Sequence, residues 1–301
     1  MIKFDNLIQF ISAFNTEEKC RDYLTAIVWK DGEVCPYCGN HKIYHFKNGA
    51  MHKCAKCRKQ FSIKVGTIFE DSHIPLTKWF MAVYLLAVHK KGISSCQLAR
   101  DLGITQKSAW FMIQRLQYAM ATESFAKPLD GIVEVDETYV GGIEKNKHAN
   151  RRTIFSDKCQ GDKVPFLGIQ QRGGDLRLRQ FAKTNKENIK PIMDANIAPD
   201  TLIMTDESPI YKWVKNHAKV NHREGIYTMG AITTNRVEGV FSHFKRTIRG
   251  IYHKASEKHI QKYADMFCFR WNTRGFAPVE QCNLLLADCR GKRLQYRELI
   301  K

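Results

Sequence analysis

A chain of 301 residues, 44% of them hydrophobic, can bury one large core or two to three smaller ones, which excludes a disordered tail or a disulfide-stapled peptide. Its formal charge of +18 calls for a polyanionic partner, nucleic acid before an anionic membrane surface. The longest apolar run, "WFMAVYLLAV" at 79–88, is too short to span a bilayer, so no membrane partner is expected.

The opening "MIKFDNLIQFISAFNTEEK" lacks a basic stretch followed by an apolar core, as a secretory signal would have. Ten cysteines without such a signal read as reduced thiols or metal ligands, and the chain reads as intracellular. Cys35 and Cys38 in "CPYCG" and Cys54 and Cys57 in "CAKC" form two C-x-x-C knuckles. The stretch between them suits a β-hairpin, and four thiolates complete a closed tetrahedral site for structural Zn²⁺. Incidental or redox-active cysteines are the alternative. The segment is too small to fold on its own core, so metal should supply much of its folding energy. The other cysteines (Cys20, Cys96, Cys159, Cys268, Cys282, Cys289) read as packing residues, and His41, His45 and His52 as surface or DNA-facing groups. Residues 1–70 are thus read as a helical segment and a zinc ribbon.

Residues 71–122 are read as helical and DNA-binding. A helix over 75–92 starts at Pro75 and stops at Gly92. A second, Ser94 to Leu102, buries Leu98 and Leu102, and Gly103 makes a turn. Thr105 then caps a third helix that buries Ala109, Met112, Ile113 and Leu116. This is helix-turn-helix spacing, with Gln106, Lys107 and Ser108 as candidates to face bases or phosphates. An ordinary helical hairpin fits the same pattern.

Residues 123–275 carry the acids. "GIVEVDETYVGG" (131–142) alternates as a strand, with Val133 and Val135 on one face and Ile132, Glu134 and Asp136 on the other. Carboxylates on such a strand are costly unless paired or bound to a cation. Glu137 points away by the same alternation. A polar loop, "EKNKHANRRTIFSDKCQGDK", follows, then strands at 164–171 and 176–182, a helix at 185–196, and a strand ending in Asp206, with Glu207 pointing away. In the helix over 233–253, Val237, Val240, Phe241, Phe244 and Ile248 make an apolar stripe, and Glu238 and Lys245 share another face two turns apart. Asp136, Asp206 and Glu238 can therefore converge to hold Mg²⁺ or Mn²⁺ for phosphodiester chemistry, with Lys245 on phosphate and Glu134 as a supporting group. For each acid, a solvated surface group or a helix cap is the alternative. Residues 276–301 are left as a basic tail.

The blocks "WKDGEVCPYCG", "HKCAKCRKQFSIKVGTIF", "PLTKWFMAVYLL", "KGISSCQLARDLGITQKSAWFMIQRL", "VEVDETYVGG" and "TNRVEGVFSHFKRTIRGIYH" run in order from about Trp29 to about Arg274. Together they resemble the ISXO-type insertion-sequence transposases, bacterial DDE transposases related to the eukaryotic Merlin elements. The resemblance implies a mixed α/β chain, with an RNase H-like catalytic domain behind the zinc ribbon and the helix-turn-helix. It carries the family's metal-binding acids onto Asp136, Asp206 and Glu238, with Lys245 as the associated base. The third acid is sometimes asparagine in that family. Here Asn235 and Glu238 both occur, and the spacing to Lys245 favours Glu238. Thr233 stands where family members often have histidine.

The expected activity is that of a DNA transposase. It would bind its element's terminal inverted repeats and cut their phosphodiester bonds with Mg²⁺ or Mn²⁺. The freed 3′-hydroxyl would then join to target DNA. A homo-oligomer in the active complex and a place in the cytoplasm or nucleoid of a bacterium go with that reading. Lys245, Arg246 and Arg249 suit contacts to the DNA backbone. A domesticated, non-catalytic DNA-binding regulator and a structure-selective RNase H-like nuclease are the rivals. Intact acids argue against the first, and a sequence-reading front end against the second.

Overall fold

The computed structural model describes residues 2–121, 125–141, 148, 163–220, 233–253 and 255–300. The loop read between residues 143 and 163 lies almost wholly outside the described residues, as do Cys159 and Lys254. The chain divides into two compact units, Met1–Thr122 with Thr273–Lys301, and Glu123–Asn272.

In the first unit, α1 (Leu7–Ala13) and α2 (Glu17–Val28) start at polar caps. The Asn6 side chain accepts from the Gln9 N–H, and Thr16 accepts from that of Lys19. Behind them comes a small antiparallel sheet of β1 (Ile43–His45), β2 (His52–Cys54) and β3 (Gln60–Phe61). Helix α3 (Leu76–Val88) starts after Pro75 and is apolar all round, so it is buried on most sides, Trp79, Phe80 and Leu86 among its buried residues. Phe4, Phe10, Phe14, Tyr23 and Tyr84 join Phe80 in a continuous set of ring contacts. Helices α4 (Ser95–Leu102) and α5 (Gln106–Met120) meet at Gly103, whose φ of 57° lies in the left-handed region that ends helices. Leu98, Leu102, Ala109, Met112, Ile113 and Leu116 are all buried, as the spacing predicts.

Later in the chain, residues read as a tail form α9 (Pro278–Ala287) and α10 (Tyr296–Ile300), and belong to this first unit. Cys282, Leu285, Leu286 and Cys289 are buried there, and α9 packs on α3. The basic residues around this short run hide its helical period from a composition reading.

The second unit holds a five-stranded sheet of β4 (Ile132–Val140), β5 (Val164–Gln171), β6 (Leu176–Gln180), β7 (Leu202–Asp206) and β8 (His217–Val220). Its order is β6-β5-β4-β7-β8, with β5 antiparallel to both neighbours and β7 parallel to β4 and β8. Helix α6 (Lys186–Asn196) lies between β6 and β7 in the chain, as a parallel crossover requires. Val133, Val135, Leu167 and Ile169 share one core with Ile189 and Met193 of α6. The other face, where Phe166 and Gly168 lie, carries α7 (Asn235–Thr247), and β6 packs against α8 (Glu257–Asn272). The helix expected over 233–253 therefore ends as an α-helix at Thr247, and a π-helical turn, Ile248–Tyr252, follows it. Its stripe of Val237, Val240, Phe241, Phe244 and Ile248 is buried throughout.

Candidate active site

The sheet puts two acids side by side. Residues 132–134 of β4 pair in parallel with 202–204 of β7, and continuing that register sets Asp206 beside Asp136. Strand β7 ends at Asp206, whereas Asp136 lies midway along β4, so the acids meet where β7 stops and β4 runs on beside β5. Carboxylate oxygens of Asp136, Glu137 and Asp206 lie within 4.8 Å of one another. The Asp136 carboxylate accepts from the Glu137 N–H at 2.7 Å, and that of Asp206 accepts from the Ser208 N–H at 3.1 Å.

Glu137 corrects the strand-alternation reading. Alternation assigns it to the opposite face, where the buried Tyr211 hydroxyl donates to it at 2.5 Å. The pairing with β7 stops at Glu134, however. Strand β5 still pairs with β4 at Glu137, but β7 ends at Asp206, and past that end the long Glu137 side chain joins the group. Glu238 of α7 is exposed and stays outside that tight trio, though its charge acts on Asp136. Glu207 does not join.

Electrostatics mark this as a place that lacks positive charge. Burial, then the charges of Glu137, Asp206 and Glu238, push the Asp136 carboxyl up to about 7. Burial, with the Asp206 charge, pushes Glu137 up to about 7 as well. Lys245 is half-buried on α7, and burial, with Arg249 and Lys163 nearby, lowers its pKa, while Asp136 raises it. Arg246 and Arg249 are exposed.

A stability consequence follows from Asp136. Its carboxyl binds a proton more tightly in the folded chain than in the unfolded one, so folded protein loses stability as pH rises from 3.8 to about 7. Zinc-loaded protein freed of other divalent ions should therefore be less stable than Asp136→Asn. Denaturant titrations should show that gap absent at the acid end of the window and fully open above it. Equal stability across the window would contradict the electrostatics.

The four knuckle cysteines form the other His/Cys/Asp/Glu group of this kind among the described residues. Cys35 and Cys57 sulfurs are 3.7 Å apart, and those of Cys38 and Cys54 are 3.6 Å apart. A tetrahedral ion with Zn–S bonds of about 2.3 Å spaces its sulfurs about 3.8 Å apart, so the donor set fits zinc. The two knuckles close alike. Gly39 donates its N–H to the Cys35 carbonyl, and Arg58 donates to that of Cys54, both with left-handed backbone. His52 corrects the surface reading. It is buried against Trp29, and its Nδ1 is 3.1 Å from that of His45, whose Nε2 meets Glu33. Cys96 corrects the packing reading, because it is exposed.

Two family models match the chain. The ISXO2-like transposase domain covers residues 128–272, and the transposase zinc-ribbon domain covers residues 15–60. The chain belongs to the ISXO-type DDE transposase family with an N-terminal zinc ribbon. It is also 27% identical over 245 residues to an uncharacterized protein in transposable element ISH50 of Halobacterium salinarum, an archaeon. That match spans 76% of this chain and 82% of the relative. A crystal structure of a pre-cleavage Mos1 transpososome aligns with 72% of this chain and 80% of its own. Its identity of 12% and TM-score of 0.28 are too low to establish a shared fold.

For this family member, the matched transposase domain contains Asp136, Glu137, Asp206 and Glu238. Gln106 and Lys107 are exposed at the start of α5, and Ser108 is partly buried. Gln106 donates to the Ser95 hydroxyl at 2.8 Å, and the Lys107 ammonium sits 5.2 Å from the Tyr296 ring centre. No described helix is long and apolar enough to cross a membrane. Glu137 and Tyr211 are the site residues that sequence reasoning missed, and only Glu137, beside Asp136 in "VDET", carried a local signal.

Proposed function

We propose that this chain is a DNA transposase that cuts and joins DNA with divalent metal held by carboxylates midway along β4 and at the end of β7. The observation that carries this reading is the gathering of Asp136, Glu137 and Asp206 within 4.8 Å in a chain of net charge +18. Three neighbouring carboxylates, two of them with raised pKa, are the donor chemistry that Mg²⁺ or Mn²⁺ takes. Asp136, Asp206 and Glu137 would hold the ions, with Glu238 reaching in from α7. When bound, such ions activate an attacking oxygen and stabilise a leaving one.

The residues around that point divide the remaining work. Lys245, whose charge interacts with Asp136, would meet a phosphate oxygen brought to the acids. Arg246 and Arg249 extend positive charge along the exposed side of α7 and its π turn, where a DNA backbone would run. Tyr211 holds Glu137 by its hydroxyl. A sheet with three antiparallel strands followed by two parallel ones, with acids midway along its central strand and at the end of the next, supports an RNase H-like catalytic unit. Gln106, Lys107 and Ser108 on α5, with the zinc ribbon, would read the terminal repeats, and pairing of two element ends would need a homo-oligomer.

The test is transposition of a marker flanked by the gene's own terminal DNA, with wild type beside Asp136→Asn at equal levels of folded protein. Movement with the wild type alone supports the reading. Equal binding of the terminal DNA with no movement by either protein would transfer support to a DNA-binding regulator.

A further inference from the structure

Glu134 is a buried acid that the proposed chemistry does not use. Its side chain is 0% exposed, and one carboxylate oxygen accepts from the Arg172 Nε at 2.9 Å. The other accepts from the backbone N–H groups of Arg236 at 3.1 Å and Val237 at 3.3 Å, in the first turn of α7. Those donors have no partner within their own helix, and the positive end of a helix favours a carboxylate. Thr234, the residue before α7, makes no side-chain cap, so an acid from the central strand does that work instead. Arg172 also donates to the Thr233 carbonyl at 3.3 Å, which ties the approach to α7 to the same point.

A second feature seats the same helix. Gly168 of β5 lies directly across from Asp136. A Cβ there would sit 2.4 Å from the Phe241 ring and 2.8 Å from a Val237 methyl. Helix α7 therefore rests on bare backbone beside Asp136, and it carries Glu238 and Lys245.

We propose that Glu134 is a positioning residue for the reaction, latching the start of α7 to the strand that bears Asp136 and so setting where Glu238 and Lys245 stand. This rests on the transposase reading for its consequence, though not for the latch. Both carboxylate oxygens face donors, so an amide in their place must turn its NH₂ against one of them. Glu134→Gln keeps the shape and breaks the latch.

The experiment compares full-length wild type, Glu134→Gln and Ile189→Ala, which loosens the core on the opposite face of the sheet. Amide hydrogen exchange at Arg236 and Val237 is read beside Mg²⁺-dependent nicking of a duplex carrying the terminal DNA. In Glu134→Gln, exchange at those amides should quicken by about tenfold or more, since a hydrogen bond to a charged group is lost. Nicking should fall further than in Ile189→Ala. Unchanged exchange overturns the latch. Quickened exchange with nicking no worse than in Ile189→Ala overturns the positioning role. If wild type does not nick DNA at all, the proposed function fails, and the exchange data still decide the latch.

Discussion

Asp206→Asn should fold and bind terminal DNA as the wild type does, and nick it about a thousandfold more slowly, a loss of about 4 kcal/mol in barrier terms. Folding should survive because asparagine keeps an oxygen to accept the Ser208 N–H. Its half-buried carboxylate is no part of the sheet core. What goes is one of three negative charges at a point where charge serves only to hold cations. Ions on two carboxylates rather than three would stabilise less of the charge that develops on the reacting oxygens. Asp136→Asn should behave alike. The check is single-turnover nicking of a labelled duplex at saturating Mg²⁺. Full activity in both variants would remove the trio from the reaction.

Cys54→Ser should have a comparably large effect on a different part of the chain. Only Cys35, Cys54 and Phe61 are buried in the ribbon's own apolar cluster, with Trp29, Ile43, Cys57 and Val65 packed around it. That is too little to order three short strands, so the apparent binding energy of about 10–16 kcal/mol typical of structural zinc would be the main source of order. The variant should lose bound zinc and the paired strands β1 to β3 together. Helices α3 to α5 should keep their helical signal, because their buried residues lie outside the knuckles. Metal analysis and amide NMR of the ribbon residues check this. A variant with the strands intact and no zinc would contradict it.

Local patterns carried most of the elements. The knuckles, the turn at Gly103, the strand with Asp136 and the stripe on α7 all depend on neighbours in sequence, where period and capping are visible. Strand β8 was not legible, because "HAKV" is a short, polar edge strand recognised only by its pairing with β7. The latch at Glu134 was not legible either, since its partners lie 38 and 102 residues away. Glu137 shows where a rule of alternation stops: β5 still runs alongside it, but β7 does not, and on that open side a long side chain reaches residues that alternation assigns to the other face. Residues 276–301 looked like a tail because their charges outnumber a brief apolar run that α3 covers.

The most direct measurement is calorimetric titration of Mn²⁺ into zinc-loaded protein, wild type beside Asp206→Asn. Saturable binding by the wild type is expected, lost or greatly weakened in the variant, with the ribbon's zinc retained in both. Equal Mn²⁺ binding by the two proteins would contradict the claim that the acids of β4 and the end of β7 hold the metal.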